Sequence, residues 1–201
     1  MGQAGVAAHK KGAARLNAAL VFIDESGFLM APLLRRTWAP RGATPILYQR
    51  GGTHQKVSAI AALVVAPERD RVACYFRLHP ATNIDAALVV SFLRQLSAQL
   101  KGAPFVVVWD RLQAHRAAAV RAYLNSCPGT KSVHLPPYAP ELNPVEYVWN
   151  YLKINPLANA AHAAISALRR GATHRHARSL QRNDTLLRSF IQHSPLSLRL
   201  R

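Results

Sequence analysis

The sequence is short of acidic residues: its 201 residues include 9 Asp and Glu against 26 Lys and Arg, which gives a formal net charge of +17. The basic residues run from Lys10 to Arg201 rather than gathering in one tail. Each Lys or Arg that meets a phosphate releases condensed counterions, so this charge excess favours a polyanion and predicts nucleic-acid binding. The alternative is that an Arg- and Ala-rich composition reflects a GC-rich genome and that its charge is merely solvated.

Cysteine and long hydrophobic runs are also scarce. Cys74 and Cys127 lack CxxC or His-x-His spacing, which excludes a zinc site or disulfide framework and predicts a reducing, cytoplasmic setting. No apolar run reaches the roughly 18 residues that cross a bilayer, so we expect no membrane partner. Residues 1–17 lack the apolar core of a secretory signal and are interpreted as a flexible lead or a linker remnant.

The rest of the chain contains strand and helix signals in a definite order. Apolar and β-branched runs predict strands at residues 18–26, 56–66, 71–79, 104–110 and 131–136, with the second and third joined as an antiparallel hairpin. Helical spacing predicts helices from Asn83 to Gly102, over 114–125 and from about Pro144, followed by one or two basic helices after residue 157. Gly and Pro residues predict a long loop after the first strand.

This order predicts an α/β fold: three strands, then helix, strand, helix, strand and helix. We expect a mixed sheet in which the first three strands are antiparallel and the helices cover both faces. The order resembles that of the ribonuclease-H-like fold. Residues 18–156 are assigned to this domain, and residues 157–201 to additional C-terminal helices packed on it or extending it.

Two of the acidic residues follow buried-strand patterns: Asp24 ends LVFID and Asp110 ends FVVVWD. A carboxylate there is costly to desolvate and needs a cation or several hydrogen-bond donors. Taken singly, Asp24 could begin an Asx-turn and Asp110 could cap the next helix. If their strands are neighbours, the two carboxylates emerge side by side and could share a divalent ion.

A third carboxylate is available in the segment ELNPVE. Glu141 lies in an irregular stretch between prolines, whereas Glu146 lies in the first turn of a predicted helix with Asn143 as its N-cap. The spacing from Asn143 to Glu146 also suits a capping box, so the pattern leaves Glu146 balanced between a cap and a metal ligand. Three clustered carboxylates would suit Mg²⁺, which prefers hard oxygen ligands.

Four ordered blocks resemble the catalytic domain of DDE-type transposases in the bacterial insertion-sequence branch related to mariner elements: VFIDESGF, RRTWAPRGATPIL, VVVWDRLQAHR and LPPYAPELNPVEYVWNYLK. The resemblance spans residues 20–153 and implies that residues 18–156 are a ribonuclease-H-like DDE catalytic domain. It implies that Asp24, Asp110 and Glu146 are catalytic ligands for two Mg²⁺ or Mn²⁺ ions, and that Glu141 is not a ligand.

The chain departs from the family pattern in two respects. Arg111 and Gln113 precede His115, where relatives often have Trp-Asp-Asn and a Pro before the His; this affects the shape of the site rather than the triad. The sequence also lacks the N-terminal helix-turn-helix region of full-length relatives. We therefore expect either a separately encoded recognition subunit or a truncated copy.

Candidate DNA contacts lie in the long loop and near the triad: Arg35, Arg36, Trp38, Arg41, Arg111, His115 and Lys153. The loop arginines would hold phosphates, and Trp38 would stack on a base. The alternatives are that Trp38 fills a local core and that His115 lies on a helix surface. The C-terminal helices are either a second DNA surface or a solvated face, through Arg169, Arg170, Arg175 and Arg178.

These features predict a metal-dependent DNA endonuclease and strand transferase acting in the bacterial cytoplasm at the nucleoid. Water would cleave a phosphodiester at the element end, and the freed 3′-hydroxyl would attack target DNA. The expected partners are element-end and target DNA, a helix-turn-helix subunit and, when active, a second copy in a homodimer. The alternatives are a non-catalytic DNA-binding remnant that regulates a full-length transposase, and another nuclease of this fold such as a junction resolvase.

Overall fold

The computed structural model describes residues 17–31, 33–46, 55–155, 157–159, 162, 164–170, 175–196 and 198–201. Nearly all of the predicted lead at residues 1–17 therefore lies outside the described residues. Five strands of the described part form one sheet in the order β3-β2-β1-β4-β5. They are β1 Ala19–Leu29, β2 Lys56–Val65, β3 Val72–Pro80, β4 Phe105–Trp109 and β5 Lys131–His134.

The sheet is mixed, as the sequence predicts. β1 pairs antiparallel with β2, and β2 with β3. β4 lies parallel to β1, and β5 lies parallel to β4. β4 is buried along its whole length, which is typical of a parallel strand with helices on both faces and explains its unbroken apolar sequence.

Five helices of seven or more residues in the described chain surround the sheet: α1 Ala86–Gln99, α2 Ala118–Ser126, α3 Val145–Ile154, α4 Arg175–Gln181 and α5 Asp184–His193. Asp85, not the expected Asn83, caps α1, because its carboxylate accepts a hydrogen bond from the Leu88 N–H at 2.9 Å. The predicted stop is confirmed, since Gly102 has φ 73° and its N–H donates to the Ser97 carbonyl. α2 begins later than residue 114 because turns occupy the residues before it.

The two faces of the sheet have separate hydrophobic cores. Leu20 and Phe22 of β1 pack on the face covered by α3, α4 and α5. Val21 and Ile23 pack on the opposite face, which α1 and α2 cover. Because side chains alternate along a strand, neighbouring residues further along β1 must also project from opposite faces. This alternation decides where the acidic residues of β1 point.

The described loop between β1 and β2, residues 33–46, is exposed and without regular structure, as its Gly and Pro content predicts. Asn159 anchors its beginning: the Asn159 N–H donates to the Leu33 carbonyl, and the Asn159 side chain bonds both the N–H and the carbonyl of Arg35. The loop is therefore fixed at its base while its side chains face solvent. No helix among the described residues has the length and apolar character to cross a membrane.

Candidate active site

Asp24 and Asp110 lie at the edge where β1 and β4 separate. The parallel pairing of these strands ends at Phe22 with Val108. Continuing the register by two residues sets Asp24 opposite Asp110, so the strands are neighbours, as the site hypothesis requires. The expectation that Asp24 ends its strand is wrong, because β1 continues to Leu29 through its pairing with β2.

Asp24 is the buried member of the acidic group, with 9% of its surface exposed. The Trp149 indole N–H donates a hydrogen bond of 2.8 Å to its Oδ2. Burial and the negative charges of Glu146 and Glu25 raise the pKa of Asp24 to about 8. The Asx-turn alternative fails because Asp24 stays within the β1 ladder. Its raised pKa marks a position where a cation would stabilise the ionised form.

The start of α3 is tied directly to β1. The buried Asn143 side chain donates to the Ile23 carbonyl at 2.9 Å and accepts from the Val145 N–H at 3.2 Å. The Asn143 backbone N–H donates to the Pro140 carbonyl, so Glu146 has no free cap N–H with which to complete a capping box. The capping alternative for Glu146 is therefore wrong, and its carboxylate remains available beside Asp24.

A buried histidine connects Asp110 to a fourth carboxylate, which sequence reasoning missed. His115 is 1% exposed; its Nδ1 lies 2.9 Å from Asp110 Oδ1 and its Nε2 lies 2.9 Å from Glu25 Oε1. Its ring stacks on Trp109 at 4.3 Å between centroids. Burial lowers the pKa of His115, but the bonds to Asp110 and Glu25 outweigh this and raise it to about 9. The alternative of a helix-surface histidine is wrong.

Strand alternation is the sequence signal that would have found Glu25. Asp24 points toward α3, so Glu25 must project from the other face, where the segment before α2 carries His115. Asp24 and Glu25 therefore project from opposite faces of the sheet. One carboxylate bonds Trp149, and the other bonds His115.

Asp110 is held at one oxygen. Its Oδ1 accepts from the Leu112 N–H at 2.9 Å and contacts His115, so it forms an Asx-turn rather than a helix cap. The His115 bond lowers the pKa of Asp110 in spite of partial burial. Because both contacts use Oδ1, the second oxygen is left for another ligand.

The three predicted ligands line one pocket of about 340 Å³. Arg111 and Tyr138 also line it, and the Tyr138 side chain is fully exposed. Burial raises the pKa of Glu146, the charge of Lys153 counteracts this shift, and the charge of Asp110 adds to it. Glu141 does not line this pocket; it lines an adjacent one of about 400 Å³ together with Glu146 and Lys153.

The donor set suits a hard divalent cation, because the pocket supplies carboxylate oxygens whose charges repel one another. Among the described residues, no three Asp, Glu, His or Cys side chains converge closely enough to hold one ion. Mg²⁺ is usually held by one or two carboxylates together with waters and substrate phosphates, so a closed protein cage is not required. Asp24, Asp110 and Glu146 therefore fit such a cation electrostatically.

The other predicted DNA contacts fall in two places. Arg35, Arg36, Trp38 and Arg41 are exposed in the β1–β2 loop, and Trp38 is 99% exposed, so the core-filling alternative is wrong. Arg111 is exposed at the acidic pocket. The C-terminal arginines of α4 are also exposed.

A mixed five-stranded sheet that brings acids from its first and fourth strands beside the helix after its fifth is the ribonuclease-H-like fold. A family model described as DDE superfamily endonuclease matches residues 19–169. The chain belongs to this DDE superfamily endonuclease family. No curated protein matches the sequence.

Solved structures of the Mos1 mariner transposase resemble this chain. The Mos1 paired-end complex with Mn matches with a TM-score of 0.66 at 18% identity, over 96% of this chain and 58% of that one. A pre-cleavage Mos1 transpososome matches with a TM-score of 0.63 at 15% identity, over 94% of this chain and 57% of that one. The Mos1 catalytic domain with Raltegravir and Mg matches with a TM-score of 0.59 at 16% identity, over 97% of this chain and 87% of that one. The chain thus spans less than two thirds of the Mos1 chain in the paired-end complex.

Proposed function

We propose that this chain is the catalytic domain of a DNA transposase in which Asp24, Asp110 and Glu146 hold divalent metal ions. It would cleave phosphodiesters at element ends and transfer the freed 3′-hydroxyl to target DNA. The observation that carries the proposal is that the three acids line one pocket and that burial, together with the charges of Glu146 and Asp110, raises the pKa of Asp24. Such a group in a chain of net charge +17 is difficult to explain without bound cations.

The proposed cofactor is Mg²⁺ or Mn²⁺, as a pair of ions. Hard carboxylate oxygens favour these metals, and Mos1 structures have been solved with Mg and with Mn. When bound, such ions activate the attacking oxygen and stabilise the leaving oxygen of the phosphodiester. The chain needs no covalent intermediate for this chemistry.

The role of the neighbouring side chains is to position the three acids. Trp149 fixes one oxygen of Asp24, and Asn143 fixes the helix start that carries Glu146. His115 bonds Asp110 and is itself held by Glu25. Both nitrogens of His115 are occupied by carboxylates, so we assign it to positioning Asp110 rather than to contacting DNA.

The proposed partners follow from the same reaction. Element-end and target DNA would contact Arg35, Arg36, Trp38, Arg41, Arg111 and Lys153. A helix-turn-helix subunit and a second copy in an active homodimer are also proposed, since the similar Mos1 structures include paired-end and strand-transfer complexes. With such a DNA substrate, the proposed location is the bacterial cytoplasm, at the nucleoid.

Cleavage of supercoiled plasmid tests the proposed function. The wild-type chain is expected to nick plasmid in Mg²⁺ or Mn²⁺ and to lose this activity in EDTA, whereas Asp110→Ala should not nick in either metal. Gel separation of supercoiled and open-circle DNA measures the rate. If the wild type nicks no better than Asp110→Ala, the chain is a non-catalytic DNA-binding protein and the proposal fails.

Tyr138 is expected to stack on a DNA base at the rim of the acidic pocket, because its ring is fully exposed there. Base stacking on an aromatic ring is worth about 1–3 kcal/mol, so Tyr138→Asn should weaken binding of forked DNA on the order of tenfold. Asn tolerates the backbone φ of 57° at this position. Fluorescence anisotropy with a forked oligonucleotide measures the affinity, and Tyr138→Phe, which keeps the ring, should bind normally. Equal losses in both variants would refute stacking.

A further inference from the structure

A second recess, of about 490 Å³, lies between α2 and β5. One wall comes from α2, including Arg121, and the other from the edge strand β5, including Lys131 and His134. His115 also lines the recess, and the same side chain bonds Asp110 of the acidic pocket. The recess is therefore adjacent to the proposed active site but contains none of its three acids.

The recess is far more basic than the chain as a whole. The chain has 26 Lys and Arg and 9 His among its 201 residues. Of the ten described residues that line the recess, five are Lys, Arg or His. None of the described residues that line it is an Asp or a Glu. His115 is paired with Glu25 and Asp110, which leaves Arg116, Arg121 and Lys131 as the lining cations without a carboxylate partner among the described residues.

These three cations form no ion pair within the described fold. No carboxylate of the described residues lies within ion-pair distance of Arg116, Arg121 or Lys131. The pKa of His134 is lowered first by burial and then by the charges of His115, Arg111 and Arg116, while the charge of Asp110 acts in the opposite direction. An anion in the recess would relieve this repulsion.

Hydrogen-bond donors accompany the charges. Ser132 Oγ accepts from the Trp109 indole N–H at 3.0 Å, which leaves its hydroxyl hydrogen to donate to a ligand. His134 Nε2 has no hydrogen-bond partner among the described residues, so turning this ring toward an anion gives up no bond at that atom. The volume lies within the roughly 300–1,000 Å³ of typical small-ligand pockets, which is larger than a lone phosphate needs.

We propose that this recess binds backbone phosphates of the DNA strand that enters the acidic pocket. Arg111 lines the acidic pocket and Arg116 lines the recess, so a polyanion that spans the two sites would meet a basic side chain at each. The identity of the ligand as DNA rests on the proposed function. A free phosphate or nucleotide offers the same chemistry, and the experiment separates these sources.

The test is DNA binding by the full 201-residue chain in EDTA, measured by anisotropy of a labelled duplex over a range of salt concentrations. Arg121→Gln with Lys131→Gln removes two charges from the recess. Arg71→Gln with Lys101→Gln removes two exposed charges that line neither the recess nor the acidic pocket, and is the matched control. All four side chains are exposed, so thermal melting should confirm that both double variants fold like the wild type.

Loss of two phosphate contacts should reduce the slope of log K against log salt by about 2 and weaken binding at least about tenfold at moderate salt. The control pair should change neither by a comparable amount. Equal losses in both pairs would mean that only total charge matters, and no loss in the recess pair would mean that DNA does not bind there; either result overturns the proposal.

Two further arms separate the remaining explanations. If labelled ATP binds the wild type and loses affinity in the recess variant while DNA affinity is unchanged, the occupant is a free nucleotide and the proposal fails. If Asp110→Ala nicks plasmid as well as the wild type, the proposed function fails, whereas the recess measurement in EDTA still stands.

Discussion

Glu146→Gln is expected to abolish metal-dependent DNA cleavage, whereas Glu141→Gln should retain most of it. Glu146 lines the pocket that contains Asp24 and Asp110, and Glu141 does not. The capping role that would make Glu146 merely structural is excluded, because the Asn143 N–H already bonds the Pro140 carbonyl. Loss of one preorganised electrostatic group from an active site lowers the rate on the order of 10³-fold.

The two glutamates form a matched pair for this measurement. Both are exposed residues of one short segment, both are changed to the isosteric amide, and each change raises the net charge equally. Plasmid nicking rates in Mn²⁺ give the activity, and melting curves check the fold. A large loss with Glu141→Gln and near-normal activity with Glu146→Gln would reverse the assignment of the third ligand.

Much of the architecture could be predicted because local sequence signals agree with the tertiary fold. The apolar run of β4 and the hairpin between β2 and β3 both appear in the structure. The end of β1 could not be read from the sequence. Polar residues at Asp24 and Glu25 look like a strand end, but pairing with β2 extends the ladder to Leu29. Long-range pairing overrides local polarity there.

The parts of the site that sequence reasoning missed depend on contacts between distant segments. Asn143 looks like a helix cap from its neighbours, yet its side-chain amide bonds the carbonyl of Ile23, which is 120 residues away. His115 looks like a surface residue of a helix, yet the helix starts after it and both ring nitrogens meet carboxylates. Such partners are set by the packing of the sheet, which single-segment patterns do not contain.

The clustered carboxylates of the site lower the stability of the metal-free fold. His115 lies between Asp110 and Glu25, so its single positive charge offsets part of the negative charge on that side of the cluster. Among the described residues, no cation pairs with Asp24: its hydrogen bond comes from the neutral indole of Trp149, and burial and nearby carboxylates disfavour its charge. The instability is therefore concentrated at Asp24, where a divalent ion would relieve it.

Asp24→Asn is expected to abolish cleavage and at the same time to stabilise the metal-free protein. The pKa of Asp24 rises from 3.8 to about 8 on folding, so this group lowers the free energy of unfolding as pH rises from about 4 to 8. At 1.36 kcal/mol per pKa unit, the cost is at most roughly 2 kcal/mol at pH 5 and roughly 5 kcal/mol at pH 8. The Asn side chain has no charge but can still accept the Trp149 hydrogen bond.

Urea unfolding in EDTA at these two pH values measures the effect. His115, whose pKa is raised to about 9, also loses stabilisation as pH rises above its unfolded value, but it does so in both proteins and cancels in the comparison. The free energy of unfolding of Asp24→Asn should therefore exceed that of the wild type by more at pH 8 than at pH 5. When Mn²⁺ replaces EDTA, it should stabilise the wild type more than the variant. A variant no more stable than the wild type at either pH would show that the Trp149 bond to an ionised Asp24 outweighs its burial.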